Sequence, residues 1–285
     1  MKSKAEQSKY SKFISDNGNW VVLIVLIIAI TIVNRNFFTP NNAVALLTGE
    51  SVKGVMTFGV ALAILAKGTD LSTGSVAALS AVCSSALCQA SASKLWAGLP
   101  TMPAIVGILG GVAIGLIVGF ANGYMVAYLH LHPFIATLGT QLICRALCKL
   151  ITPGPVSKLT PGFRFLGNGK IGPFHMIVIV MIIMYIILAF MLTSTRFGKS
   201  VYAVGGNDQA ARVAGINVEH TLVKVHIWCS FCAALGGVLL AGRSDSADPA
   251  NTGLNYELDA IAAATVGGTS QMVVSAVPPV LSPVS

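Results

Sequence analysis

Charge is what this chain has least of. Across 285 residues only 10% are Asp, Glu, Lys or Arg, and only ten of those are acidic, where a soluble domain carries about a quarter. That scarcity excludes a water-facing globular domain with a core of its own. The net charge of +8 does not indicate a nucleic-acid binder, because no basic cluster is interleaved with aromatics as a polyanion groove requires. Cysteine is also sparse. The six (Cys83, Cys88, Cys144, Cys148, Cys229, Cys232) fall inside apolar segments, and Cys229 and Cys232, with redox spacing, have no His or Cys partner pair nearby. They read as small buried residues. No catalytic nucleophile, metal-ligand set or cofactor loop accompanies the acids, so neither catalysis nor a cofactor is expected.

What remains is hydrophobic, 54% of residues. Apolar runs fall at 20–33, 44–66, 71–92, 103–129, 134–151, 174–193 and 222–242, with a weaker one at 260–269. Runs of this length predict an all-α polytopic transmembrane bundle of about eight segments. Lys2, Lys4, Lys9 and Lys12 precede the first run, and no small-residue cleavage site follows it. The first run is therefore read as a retained span with a cytoplasmic N-terminal tail, 1–19. Six crossings then return the chain to the cytoplasm at Thr195.

Within the run 103–129, Gly107, Gly111, Gly115, Gly119 and Gly123 recur every fourth residue. They form one face of a helix on which a neighbouring backbone can approach closely, the packing that joins helices in lipid. Polar residues interrupt the second and third runs at Lys67-Gly68-Thr69-Asp70-Leu71-Ser72-Thr73-Gly74. Asp70 or Ser72 can cap the helix that follows, and the segment reads either as a broken helix lining a water-filled path or as a capped turn at the surface. Thr69, Asp70, Ser72 and the deep Arg145 are the candidate path residues. Glu50 and Lys53, one turn apart, are placed to pair. Lys149 is placed to snorkel, and His130 and His132 read as loop residues. Glu257 and Asp259 point the same way only in an extended segment.

The polar stretch 195–218 is unusually long for a connection between spans. Asn207 is a good N-cap, 209–214 favour helix, and Gly215 can end it, with Ala210, Ala211 and Ala214 giving a slim face. Gly198-Lys199-Ser200 imitates the end of a phosphate-binding loop, but that loop needs a glycine where Thr193 stands. No ATP site is expected in the chain.

Several motifs in order, Gly68-Thr69-Asp70-Leu71-Ser72-Thr73-Gly74, Pro133-Phe134-Ile135-Ala136-Thr137-Leu138-Gly139, Thr195-Arg196-Phe197-Gly198-Lys199, Gly205-Gly206-Asn207 with Gly215-Ile216-Asn217-Val218, and Tyr256-Glu257-Leu258-Asp259-Ala260, resemble the permease subunits of bacterial ABC importers for monosaccharides. Thr69 and Thr101-Met102-Pro103 are most similar to the galactose/methyl-galactoside branch. The resemblance implies an inner-membrane subunit that works with a cytoplasmic ATPase, a periplasmic sugar-binding protein and a second permease copy. It also implies that 207–215 is the coupling helix, with Arg196, Gly206, Asn207, Ala210, Ala211, Gly215 and Ile216 as ATPase-coupling residues. A permease domain at 20–270 would then contain a coupling loop at 195–218.

The tail 271–285 departs from that family. Three prolines among its last eight residues cannot continue a membrane helix. Read one nucleotide earlier, codons for Val273-Val274-Ser275-Ala276 permit Gly-Gly-x-Gly, with glycine again permitted at Val280 and Val284. This spacing predicts a frameshift near residue 271 and a truncated product. Two other classes stay open. A secondary transporter needs inverted repeats and a buried ion-coupling carboxylate, for which Asp70 is the candidate. An inactive remnant of a permease is the second.

Overall fold

The computed structural model describes residues 18–34, 36–90, 95 and 100–269. The tail at 271–285 and nearly all of the N-terminal tail lie outside the described residues. The described chain is helical nearly throughout and falls into two compact units, Met1–Gly49 and Glu50–Ser285.

The first unit holds α1 (Gly18–Val33) and the start of α2 (Pro40–Leu65). Thr39 opens α2. Its hydroxyl accepts from the Asn42 amide at 3.4 Å, and Pro40 fills the first helical position, where no donor is needed.

The second unit is built around three helices, α3 (Thr73–Leu87), α4 (Ala104–Ala127) and α10 (Val218–Ser244). The five ladder glycines are all buried in α4. A methyl on Gly123 would meet the Val223 backbone, on Gly119 the backbone of His226 and Ile227, and on Gly115 the Ser230 carbonyl. On Gly111 and Gly107 it would meet the carbonyls of Ser80 and Ser84 in α3. α4 thus lies backbone-to-backbone along α10 and then α3. The Ser80 hydroxyl donates to the Gly111 carbonyl across the seam (2.9 Å). Around this trio pack the rest of α2, α5 (Pro133–Ile151) and α7 (Met176–Ser194). Ile177 and Met184 of α7 join Val52, Val55 and Met56 of α2 in one apolar cluster.

Among the described residues five helices are long and apolar enough to cross a membrane: α2, α4, α5, α7 and α10. Two shorter apolar helices are Val21–Val33 and α3. The eight expected runs therefore resolve differently. The run 71–92 contracts to the fifteen residues of α3, because Leu71 and Ser72 belong to the non-helical break and the helix is capped at Cys88. The weak run 260–269 is part of the eleven-residue α11 (Tyr256–Val266), about 16 Å long against a hydrocarbon core of about 30 Å.

One end of the unit is closed by 152–175 and 244–248. β1 (Val156–Ser157) pairs antiparallel with β4 (Ser246–Ala247). β2 (Lys170–Ile171) pairs with β3 (Phe174–His175), and α6 (Pro161–Asn168) buries Phe163. Arg164 pairs with Asp245 at 3.2 Å. The opposite end carries 66–69, 128–132 and the polar segment 195–217, which folds as α8 (Arg196–Gly206) and α9 (Asp208–Val213).

Candidate functional site

The interruption between α2 and α3 is a built feature. α2 ends with Lys67 in the left-handed region (φ 57°), while the Gly68 amide donates back to the Ala63 carbonyl at 2.8 Å. The lysine, not the neighbouring glycine, takes the conformation that closes the helix. Non-helical backbone then carries the chain to Thr73.

Along it, Asp70 is fully buried. Its Oδ1 accepts from the Ser72 amide (2.9 Å) and hydroxyl (2.6 Å). Neither Asp70 nor Ser72 caps α3 with its side chain. Asp70 braces Ser72, and the Ser72 hydroxyl accepts from Asn122 Nδ2 of α4 (2.9 Å). Asn122 Oδ1 in turn accepts from Thr140 Oγ1 of α5 (2.6 Å). The Thr137 hydroxyl accepts from the Leu71 amide (3.1 Å) and donates to the Pro133 carbonyl (2.8 Å). Thr69 joins through its carbonyl, 3.3 Å from Thr137 Oγ1. One polar network thus ties the break to α4 and α5 inside an apolar bundle.

A second irregular segment reaches the same level. The turn before α11 has Asn255 and Gly253 at positive φ. A methyl on Gly253 would meet the Gly74 carbonyl, and one on Gly74 would overlap Glu257 Oε2 and the Gly253 carbonyl. Glu257 is buried, and its Oε1 accepts from Gln141 Nε2 (3.0 Å). Arg145 of α5 clasps this segment: its guanidinium donates to the Thr252 carbonyl at 2.8 Å and lies 3.4 Å from that of Ala250. α11 is helical, so Glu257 turns inward while Asp259 is exposed.

The N-termini of two short helices, α3 and α11, therefore meet inside the bundle. Irregular backbone within an apolar bundle survives where it lies beside protein or water. Several buried polar atoms around it have no hydrogen-bond partner: Asp70 Oδ2, Thr73 Oγ1, His226 Nε2, Ser230 Oγ and Glu257 Oε2. The His226 Nδ1 lies 2.9 Å from the Leu222 carbonyl. A carbonyl only accepts, so the hydrogen of that contact sits on Nδ1. Among the described residues no group of three or more His, Cys, Asp or Glu is arranged to hold a metal ion.

The polar segment contains more helix than its sequence suggests. Thr195 caps α8 by accepting from the Gly198 amide (3.1 Å). The stretch 200–204 is helical because Phe197, Val201 and Val204 share one face and pack inward. Asn207 caps α9 by accepting from the Ala210 amide (3.0 Å). α9 spans Asp208–Val213, shorter than 207–215, because Gly215 (φ 82°) turns the chain away. Asn217 then caps α10 through the His220 amide (2.8 Å).

Arg196, Gly206, Asn207, Ala210 and Gly215 are exposed and Ile216 is half-buried. Ala211 faces inward against Val204 and Val218, so the alanines do not form a single outward face. Sequence reasoning missed Val213, which is 91% exposed. Arg212 pairs with Glu219.

The segment is seated on the break. A methyl on Gly205 would overlap the Leu65 carbonyl, and Lys67 Nζ donates to the Gly206 carbonyl at 2.9 Å. Between them opens a cavity of about 420 Å³ lined by Lys67, His130, His132, Asp208, Arg212 and His226, among others.

Comparison with known proteins gives a consistent set. A family model described as "Branched-chain amino acid transport system / permease component" matches residues 42–281. The chain is 37% identical over 279 residues, 94% of its own length and 82% of the relative's, to the galactose/methyl galactoside import permease protein MglC of Escherichia coli (strain K12). It is 34% identical over 258 residues, 89% of its length and 76% of the relative's, to the ribose import permease protein RbsC of Bacillus subtilis (strain 168). No solved structure matches.

Proposed function

Because the chain belongs to the branched-chain amino acid transport system / permease component family, on a match over residues 42–281, we propose that it is the membrane-spanning subunit of an ATP-driven importer whose cargo is a monosaccharide. The family's description mentions amino acids, but relatives at 33–37% identity over most of the chain are import permeases for galactose or ribose by name, which supports a sugar. The observation that carries the coupling half of this reading is the seating of α8 and α9 on the end of α2, through Gly205 and Lys67.

On this reading α9 is what an ATPase partner grips. Val213, Ala210 and Asn207 present an exposed edge beside the Arg212–Glu219 pair, and force applied there reaches Lys67 three residues from Asp70. The end bearing 195–217 faces the cytoplasm, and the lysines of the N-terminal tail favour the same side for that tail by the positive-inside rule. The end bearing β1, β4 and α6 faces a sugar-delivering binding protein, and a second copy of the chain completes the conduit. Residues 20–270 act as one permease domain. Thr69, Asp70, Ser72 and Arg145 serve the path by holding its broken segments in place.

The test is reconstitution of the chain in bacterial membranes with the ATPase and periplasmic sugar-binding protein of a galactose importer or of a ribose importer, followed by uptake of labelled galactose and ribose. ATP-dependent accumulation of one of them is expected. Uptake that survives ATP depletion but collapses with the proton gradient would overturn the reading in favour of a secondary transporter.

A further inference from the structure

Lys53 sits at the middle of α2, thirteen residues from Pro40 and twelve from Leu65, hence about 18–20 Å from either end. Its ammonium bridges two carboxylates, Asp259 Oδ2 at 3.0 Å and Glu50 Oε2 at 3.4 Å, and stands 5.4 Å from the centre of the Tyr256 ring. This cluster is not sealed within the bundle. The Glu50 side chain is 66% exposed and that of Asp259 50%. Ionised groups at such depth are strongly disfavoured against hydrocarbon, and in spans they face a bundle interior or a water-filled cavity. The face formed by mid-α2 and the first turns of α11 therefore does not meet lipid.

Tyr256 also belongs to a second feature. An open groove of about 270 Å³ at the β4 end is lined by Ser246, Asp248, Asn251 and Tyr256 among others. The groove and the charged cluster share this one ring, so a polar track runs from the β4 end to mid-span.

We propose that this track is a sugar-contacting wall of the conduit, with Glu50, Lys53, Tyr256 and Asp259 as its mid-span station for a neutral polyhydroxylated ligand. The chemistry fits. Carboxylate oxygens accept from hydroxyls, the ammonium donates to them, and the half-buried ring offers an apolar face to C–H groups. Lys53 and Asp259 form an ion pair, and an uncharged ligand can hydrogen-bond to that pair without breaking it. A charged ligand would have to break that pair. The proposal rests on the importer reading above.

The test is cysteine accessibility in membranes holding the full complex. Asp259→Cys and, as a second position, Glu50→Cys are treated with a charged methanethiosulfonate reagent, and labelling of the unaltered chain is subtracted for its native cysteines. Ile117→Cys, 69% exposed on the apolar face of α4, is the lipid-facing control. Labelling at 259 or 50 at least tenfold faster than at 117 is expected, slowed several-fold by saturating galactose or ribose with the binding protein present. Labelling no faster than the control at either position overturns the proposal. So does fast labelling that sugar leaves unchanged while the introduced cysteines cross-link two copies, since the face would then be a subunit interface. Absence of uptake by the unaltered chain would instead count against the importer reading, because water access is read from labelling alone.

Discussion

Lys67 and Gly206 are 139 residues apart in the chain, yet the lysine Nζ donates to the glycine carbonyl at 2.9 Å. The bond joins the point where α2 stops to the point where α8 hands over to α9. Lys67→Met should keep the chain in the membrane at normal levels while lowering ATP-driven uptake several-fold. Lys67→Gly relieves the left-handed backbone but loses the same bond, so it should show the same transport loss. If Lys67→Gly transports normally and Lys67→Met does not, an apolar group in the polar joint rather than loss of the bond is what matters, and the linkage fails.

Neighbouring residues on α9 should behave in opposite ways. Ala211 lies against Val204 and Val218, so Ala211→Leu overpacks the joint at a cost of about 1–3 kcal/mol. It should lower the melting temperature of the purified protein. Val213→Glu and Ala210→Leu change only exposed surface; they should leave melting unchanged while abolishing co-purification of the ATPase. Gly215→Val has open space around it and acts through its backbone (φ 82°), so melting and coupling should both suffer.

Two glycines separate contact from freedom. Gly74→Ala drives a methyl into Glu257 Oε2 and the Gly253 carbonyl, and should destabilise the protein by about 1–3 kcal/mol. Gly139 in α5 has nothing within 4 Å of an added methyl; Gly139→Ala should stabilise by about 0.5–1 kcal/mol through helix propensity alone. Thermal melts in detergent would reveal both signs.

Asp248 lies in the segment after β4, where its Oδ1 accepts from the Ala250 amide (2.8 Å) and its Oδ2 from Asn251 (2.8 Å). These bonds favour the ionised form and hold the carboxyl below the usual carboxylate range. A lowered folded-state pKa contributes stability that is present above the unfolded value and lost as pH falls through the folded one. The segment should therefore loosen below about pH 4, and Asp248→Asn should remove that part of the acid sensitivity. Hydrogen exchange of the 250–254 amides against pH would measure it.

The spans and the glycine seam were legible because lipid imposes simple requirements: continuous apolar length, and small residues where backbones touch. The cap at Asn207 follows from local chemistry in the same way. What sequence could not supply was the partnering of single polar residues inside spans. Asn122 looks unremarkable between Gly119 and Gly123 until Ser72 and Thr140 are brought to either side of it. Thr137 and Gln141 acquire meaning only beside Leu71 and Glu257. The helical stretch 200–204 escaped because its inward face, Val201 and Val204, is short and flanked by glycines. Lys53 was matched to Glu50 by spacing, whereas Asp259 reaches it through tertiary packing alone.

The ladder in α4 also sets how the protein is able to move. With no side chain on the α4 side, its backbone fits between Val223, His226, Ile227 and Ser230 of α10 like gear teeth at Gly123, Gly119 and Gly115. A small slide would drive carbonyls into Cα atoms, and the next clear register is a full turn away, about 5.4 Å. These two helices consequently travel as one stiff post. Any opening and closing during a transport cycle has to be done by what hangs on that post: α2, α5, α7 and the short α11.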